Sequence, residues 1–138
     1  MEKKGKQLLL KDLCARLPYR VLMGNKEWNR VPYQLTCDEV QYAMMTDDWD
    51  DVPYLRPISS MTEEEVNTLF RILNINEDNK TEWLKINDIG VIRLFTQEGK
   101  DFYEIAEAMD YLNSIHIDYR GLIERNLAID CTNLHIYD

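Results

Sequence analysis

Apolar residues recur at Leu10, Leu13, Cys14 and Leu17, the i, i+3, i+4, i+7 spacing that lines one face of a helix. The pattern predicts a helix from Gln7 that stops ahead of Pro18, because proline disfavours helical geometry in the residue before it. Residues 1–6 are expected to form a flexible basic arm. Tyr19 to Met23 is rich in strand formers and runs into Gly24-Asn25, after which Val31, Tyr33 and Leu35 alternate with Arg30, Pro32 and Gln34. This reads as a hairpin. Pro32 cannot donate to a ladder, which places its strand at an edge or a bulge. Val40, Tyr42 and Met44 alternate as a third strand would, while Thr36-x-x-Glu39 equally fits the cap of a short helix.

Residues 46–60 read as an ordered loop: four aspartates around Trp49, then Pro53 and Pro57 on either side of Tyr54-Leu55-Arg56. Thr62-x-x-Glu65 then has the form of a capping box, with Met61 and Val66 set for a hydrophobic staple and Val66, Leu69, Phe70 and Leu73 as the buried stripe of a helix ending near Asn74. Trp83–Ile86 and Val91–Phe95 flank Asn87-Asp88 and Gly90 as a second hairpin. From Asp101 the helical period returns in Phe102, Ile105, Ala106, Met109 and Leu112, and predicts a helix to about Ile115. A shorter helix capped by Asp118 follows, with Tyr119, Leu122 and Ile123 buried and Asn126 in the left-handed position past its end. Leu134 to Tyr137 is set to return as a strand. These elements define an α+β class, about four helices packed on an antiparallel sheet of four or five strands in a single domain spanning residues 1–138.

The chain is acidic and its charge is unevenly placed. The chain carries 25 acids against 16 bases for a net of −9. Residues 1–11 hold four lysines and one glutamate, +3, so the total of −9 leaves −12 on the remaining 127 residues. A field of that sign repels phosphate backbones and anionic lipid surfaces, which disfavours a direct nucleic-acid or membrane binder. Three cysteines, Cys14, Cys37 and Cys131, cannot all pair within the chain and have no metal-ligand spacing, so a reducing cytoplasm fits them best. Cys14 lies on the predicted stripe and is expected in the core. The longest apolar run, Tyr42 to Met45, has four residues, and neither a signal peptide nor a membrane span is expected.

The sequence carries few residues in patterns that support chemistry. Asn74, Asn76 and Asp78 have the start of a calcium-loop spacing, but Asn79 and Lys85 stand where glycine and glutamate are required. The Asp47–Asp51 cluster reads as a solvated acidic loop, so no metal is assigned. His116 and His135 are the two imidazoles on which a Cys-His or Ser-His pair would depend, and His116, at a helix end, suits an interaction with the last carbonyls. Neither a glycine-rich phosphate loop nor a nucleophile elbow is present, and no cofactor is implied.

Two arginines each stand beside a tyrosine in a short polar block: Tyr54 with Arg56, and Tyr119 with Arg120. Arginine and tyrosine are enriched at protein interfaces, which makes these four the candidate binding residues. The alternative is that both arginines pair with carboxylates inside the fold and both tyrosines are packing residues.

Three blocks carry a resemblance: Leu8 to Tyr19 (LLLKDLCARLPY), Pro53 to Glu65 (PYLRPISSMTEEE), and Tyr111-Leu112-Asn113 with Asp118 to Glu124 (DYRGLIE). Together they resemble an uncharacterised family of small proteins from Bacteroides-type bacteria and their phages or mobile elements. The resemblance implies a setting in an accessory genome and implies no reaction. The sequence expectation is therefore a non-enzymatic intracellular protein that binds another macromolecule, as an adaptor or inhibitor. An acidic mimic of nucleic acid is the alternative within binding, since residues 38–65 carry nine acids against one base. A small hydrolase or transferase without a recognisable motif is the alternative outside it.

Overall fold

The computed structural model describes residues 2–27, 31–74 and 102–137. In chain order these form α1 (Lys3–Arg16), β1 (Leu22–Gly24), β2 (Tyr33–Gln34), α2 (Cys37–Met45), β3 (Val52–Leu55), α3 (Glu63–Ile72), α4 (Phe102–Ser114) and β4 (Ile129–Asp130). The fold is α+β, as the sequence predicts. It packs as two compact units, residues 1–55 with 120–138 and residues 56–119, and the buried apolar side chains form one cluster in each.

In the first unit α1 ends at Arg16 ahead of Pro18, but it begins at Lys3, inside the segment expected as a basic arm. Its buried face is Leu9, Asp12, Leu13 and Arg16, so Cys14, expected in the core, is exposed. The physical reason is an ion pair. Arg16 Nε donates to Asp12 Oδ2 at 2.7 Å one helical turn away, and both side chains are fully buried. Charged residues thus occupy two positions of the inward stripe and rotate it away from the purely apolar spacing.

The sheet has the order β2-β1-β3-β4. The predicted hairpin is present as antiparallel β1 and β2, with Leu22 opposite Gln34 and Met23 opposite Tyr33. The ambiguous segment after Thr36 is helical: the Thr36 hydroxyl accepts the Glu39 amide, and Val40 and Ala43 face inward. The loop expected over 46–60 contains the central strand β3, whose four residues are all buried. Burial on both faces removes the alternation by which a strand is read. β3 runs antiparallel to β1 but parallel to β4, so the sheet is mixed and not purely antiparallel. The tail expected as a strand turns back instead, and Tyr137 reaches the sheet with its side chain. Its hydroxyl accepts the Leu22 amide at 2.8 Å and donates to the Tyr54 carbonyl at 2.8 Å, splicing β1 to β3 just beyond their last paired residues.

In the second unit the Thr62–Glu65 capping box is complete in both halves. Val66, Leu69 and Phe70 from α3 and Leu73 at its C-cap pack with Ala108 and Leu112 from α4, and Met61 covers the same cluster. α4 closes in a Schellman arrangement: the His116 amide donates to Asn113, the Ile117 amide to Leu112, and His116 takes the left-handed conformation at φ 64°. Ile117 then forms a parallel bridge with Arg56. The short helix expected after Asp118 is a single turn in the first unit; Leu127 donates to Leu122 and Asn126 sits at φ 64°, the left-handed position expected of it. The second predicted hairpin, and Asn76 and Asp78 of the calcium-like spacing, lie outside the described residues.

Candidate functional site

The four residues singled out as interface candidates are held by the fold. Tyr54 is buried in β3, its ring over Gly24 and its carbonyl bound by Tyr137. Tyr119 is buried and its hydroxyl donates to Asn113 Oδ1 at 2.9 Å. Arg120 Nε donates to Asp12 Oδ1 at 3.1 Å, making that buried carboxylate the shared acceptor of two guanidinium groups. Arg56 forms a bidentate pair with Glu65 and also donates to the carbonyls of Ser60 and Ile115. Glu65 consequently has its pKa held below the ordinary glutamate value, first by the Arg56 hydrogen bonds, with partial burial acting against them. The arrangement is that of internal struts.

The acid cluster is similarly divided. Asn25 Nδ2 donates to Asp50 at 2.9 Å and to Asp51 at 3.0 Å, and the Tyr33 hydroxyl donates to the second oxygen of Asp51. Trp49 is buried between these acids and the exposed pair Asp47 and Asp48. An open cavity of about 700 Å³ lies beside Asn25. Its charged walls are Lys4, Lys26 and Arg125 against Glu2, Glu27 and Asp50, a balance that draws neither anions nor cations. Among the described residues no group of three His, Cys, Asp or Glu side chains is placed to hold a metal ion. His116 belongs to the second unit and exposed His135 to the first.

Among the described residues, the outer face of α2 carries a group of exposed apolar side chains. Tyr42 is 58% exposed, Met44 65% and Met45 80%. At about 100° per residue, Met45 lies about 60° from Tyr42 and about 100° from Met44 around the helix, with Gln41 one turn back, so Tyr42 and Met45 share a face that Met44 flanks. The inner face is already spent on Val40 and Ala43, and α1 packs beside the helix with Lys6 Nζ donating to the Thr46 carbonyl at its C-terminal end. Val31, Tyr103 and Leu134 are also exposed, each on a different segment of the chain. The sequence carried a signal for this surface. Reading Thr36-x-x-Glu39 as the helix cap turns Val40 and Ala43 inward and leaves Tyr42, Met44 and Met45 outward, whereas reading a strand hides it.

Comparison with known proteins adds no relative: no family model, curated protein or solved structure matches the chain.

Proposed function

We propose that this chain is a non-catalytic protein-binding module whose docking surface is the outer face of α2. The observation that carries the reading is the exposure of Tyr42, Met44 and Met45 together on one helix whose opposite face is fully used by the core. Grouped apolar exposure of this kind marks interaction sites, and flexible methionine side chains adapt to a partner's relief. The exposed thiols of Cys14 and Cys37 support a reducing, cytoplasmic setting. The three-block resemblance supports an adaptor or inhibitor from an accessory genome. Nucleic-acid mimicry has less support, because Asp50, Asp51 and Glu65 are engaged within the fold and do not form a free row of carboxylates.

The test is affinity capture from a native host followed by mass spectrometry, with the wild-type chain and a Tyr42→Ser, Met45→Ser double variant compared side by side. A partner retained by the first and lost by the second, with both chains melting alike, supports the reading. Identical capture by the two chains removes α2 as the docking surface.

A further inference from the structure

Within the segment that carries this surface the charges have one sign, and Lys6 of the neighbouring α1 donates to the Thr46 carbonyl at the end of α2. From Val31 to Leu55 the chain holds six acids and no lysine or arginine. Asp38 and Glu39 lie in the first turn of α2, and Asp47 and Asp48 follow its last residue; Asp38, Asp47 and Asp48 are exposed. The apolar strip is therefore bounded along the chain by carboxylates at both ends of α2, whose nine residues span about 13 Å at 1.5 Å per residue.

Resting on the docking surface proposed above, we infer that its occupant is a cationic amphipathic helix of a partner protein, with an apolar stripe of two to three turns and basic residues at both ends. The carboxylates select the charge. A second copy of this chain would bring the same acids face to face, and an anionic lipid surface would meet them with its own negative charge, so both are opposed electrostatically. The helical form follows from the backbone of α2, whose amides and carbonyls are used within its own turns and offer no edge to an added strand. Recognition rests on side chains, and an i, i+3, i+4, i+7 stripe supplies anchors at the pitch of Tyr42, Met45 and Gln41. The sheet edge β2 is a poorer dock, being two residues long and preceded by Pro32, which has no amide proton.

The probe is a fluorescein-labelled synthetic peptide of 18 residues, about five helical turns. It carries a leucine stripe with a lysine pair at each end, placed about nine residues apart to match the acid spacing. The control is a peptide of identical composition whose order breaks the helical period. Fluorescence anisotropy with the full chain should show the amphipathic peptide binding about tenfold more tightly than the control, and weakening about fivefold between roughly 50 and 300 mM salt as the charges are screened. Tyr42→Ser with Met45→Ser, and separately Asp47→Asn with Asp48→Asn, should each weaken it about tenfold; Glu63→Gln with Glu64→Gln, on α3, should leave it unchanged. Equal binding of the two peptides, or indifference to the Tyr42 and Met45 substitutions, overturns the inference. So does a concentration-dependent dimer abolished by those substitutions, since a second copy would then cover the face. If the peptide does not bind while partner capture still depends on Tyr42 and Met45, the partner chemistry is wrong and the docking surface stands; if capture is indifferent too, both fall.

Discussion

Arg56 grips Glu65 through both terminal guanidinium nitrogens, Nη1 to Oε2 at 2.8 Å and Nη2 to Oε1 at 2.7 Å, while the same Oε1 accepts the Thr62 amide at 2.9 Å. One carboxylate thereby closes the capping box of α3 and anchors the segment that bridges to Ile117. The pair is partly buried, with side-chain exposures of 22% and 18%, so its loss should cost less than that of a fully buried pair. Arg56→Ala should destabilise the protein by about 2 kcal/mol in denaturant melts. Arg56→Lys should recover only part of this, because an ammonium cannot reproduce the two-pronged geometry. A loss below about 0.5 kcal/mol for Arg56→Ala would place Arg56 among free surface residues.

Thr62 and Glu65 should couple. Thr62→Ala removes the acceptor of the Glu65 amide at 3.2 Å and should cost on the order of 1 kcal/mol. Glu65→Ala removes both the other half of the box and the Arg56 partner, so it should cost more. In a double-mutant cycle the two losses should fall short of additivity, each single change having already opened the box. Strict additivity counts against it.

The same carboxylate sets an acid limit on stability. Its folded pKa is depressed, chiefly by Arg56, so its contribution is fully present above the unfolded glutamate value of about 4.3 and is lost as pH falls through and below that value. Wild type should therefore lose stability with falling pH more steeply than Glu65→Gln. Parallel slopes for the two chains below about pH 4.5 would show that the pair does not act on folding.

Where residues act on their neighbours in the chain, the fold is legible in the sequence. Thr62-x-x-Glu65 states its own hydrogen bonds, and the positions of Leu69, Phe70 and Leu112 follow from helical periodicity because apolar residues recur there at the helical spacing. Asn126 was legible because asparagine tolerates the left-handed backbone past a turn. Elsewhere tertiary partners decide the outcome. Asp12 and Arg16 look like surface residues until their pairing makes both buriable, and that pairing displaced Cys14 from the expected core. β3 was hidden by Pro53 and by burial of both its faces, which leaves no period of two. Arg56 and Tyr54 have interface chemistry by type, and only the geometry shows the Arg56 guanidinium occupied by Glu65 and the Tyr54 ring buried over Gly24.

Asp12 is the fully buried acceptor for Arg16 and for Arg120. Removing it takes away the carboxylate that balances a guanidinium with no solvent exposure, so Asp12→Ala should cost about 3–5 kcal/mol. Arg120→Ala should cost about 1–2 kcal/mol, since Arg120 is 26% exposed and its loss leaves the Asp12–Arg16 bond in place. Chemical denaturation of the two variants gives the comparison; equal losses would mean that Arg120, and not Arg16, carries the buried charge balance.

Tyr137 replaces a stretch of β ladder with one hydroxyl, so Tyr137→Phe should leave the Leu22 amide and the Tyr54 carbonyl without that partner and cost about 1–3 kcal/mol. Burial raises the Tyr137 pKa above the ordinary tyrosine value, which means the fold favours the protonated phenol. That contribution is fully present below the unfolded value of about 10 and is lost as pH rises beyond it. The stability gap between wild type and Tyr137→Phe should therefore narrow above about pH 10 in equilibrium melts. A constant gap would show that the phenol is not held in its protonated form.

Gly24 is required by Tyr54, and this relation gives the sharpest test of the sheet. A Cβ built on Gly24 would collide with the Tyr54 ring carbons and hydroxyl, which lie across the bare backbone of β1. The ring has little room to retreat, because Tyr54 is buried and its carbonyl is held by Tyr137. Gly24→Ala should then destabilise by about 1–3 kcal/mol, the range for overfilling a packed site. In a Tyr54→Ala background the clash has no second party, and adding Gly24→Ala should cost little or become favourable, since alanine restricts the unfolded chain more than glycine does. A Gly24→Ala loss of the same size in both backgrounds would trace the glycine to the turn at Asn25 and not to the ring above it.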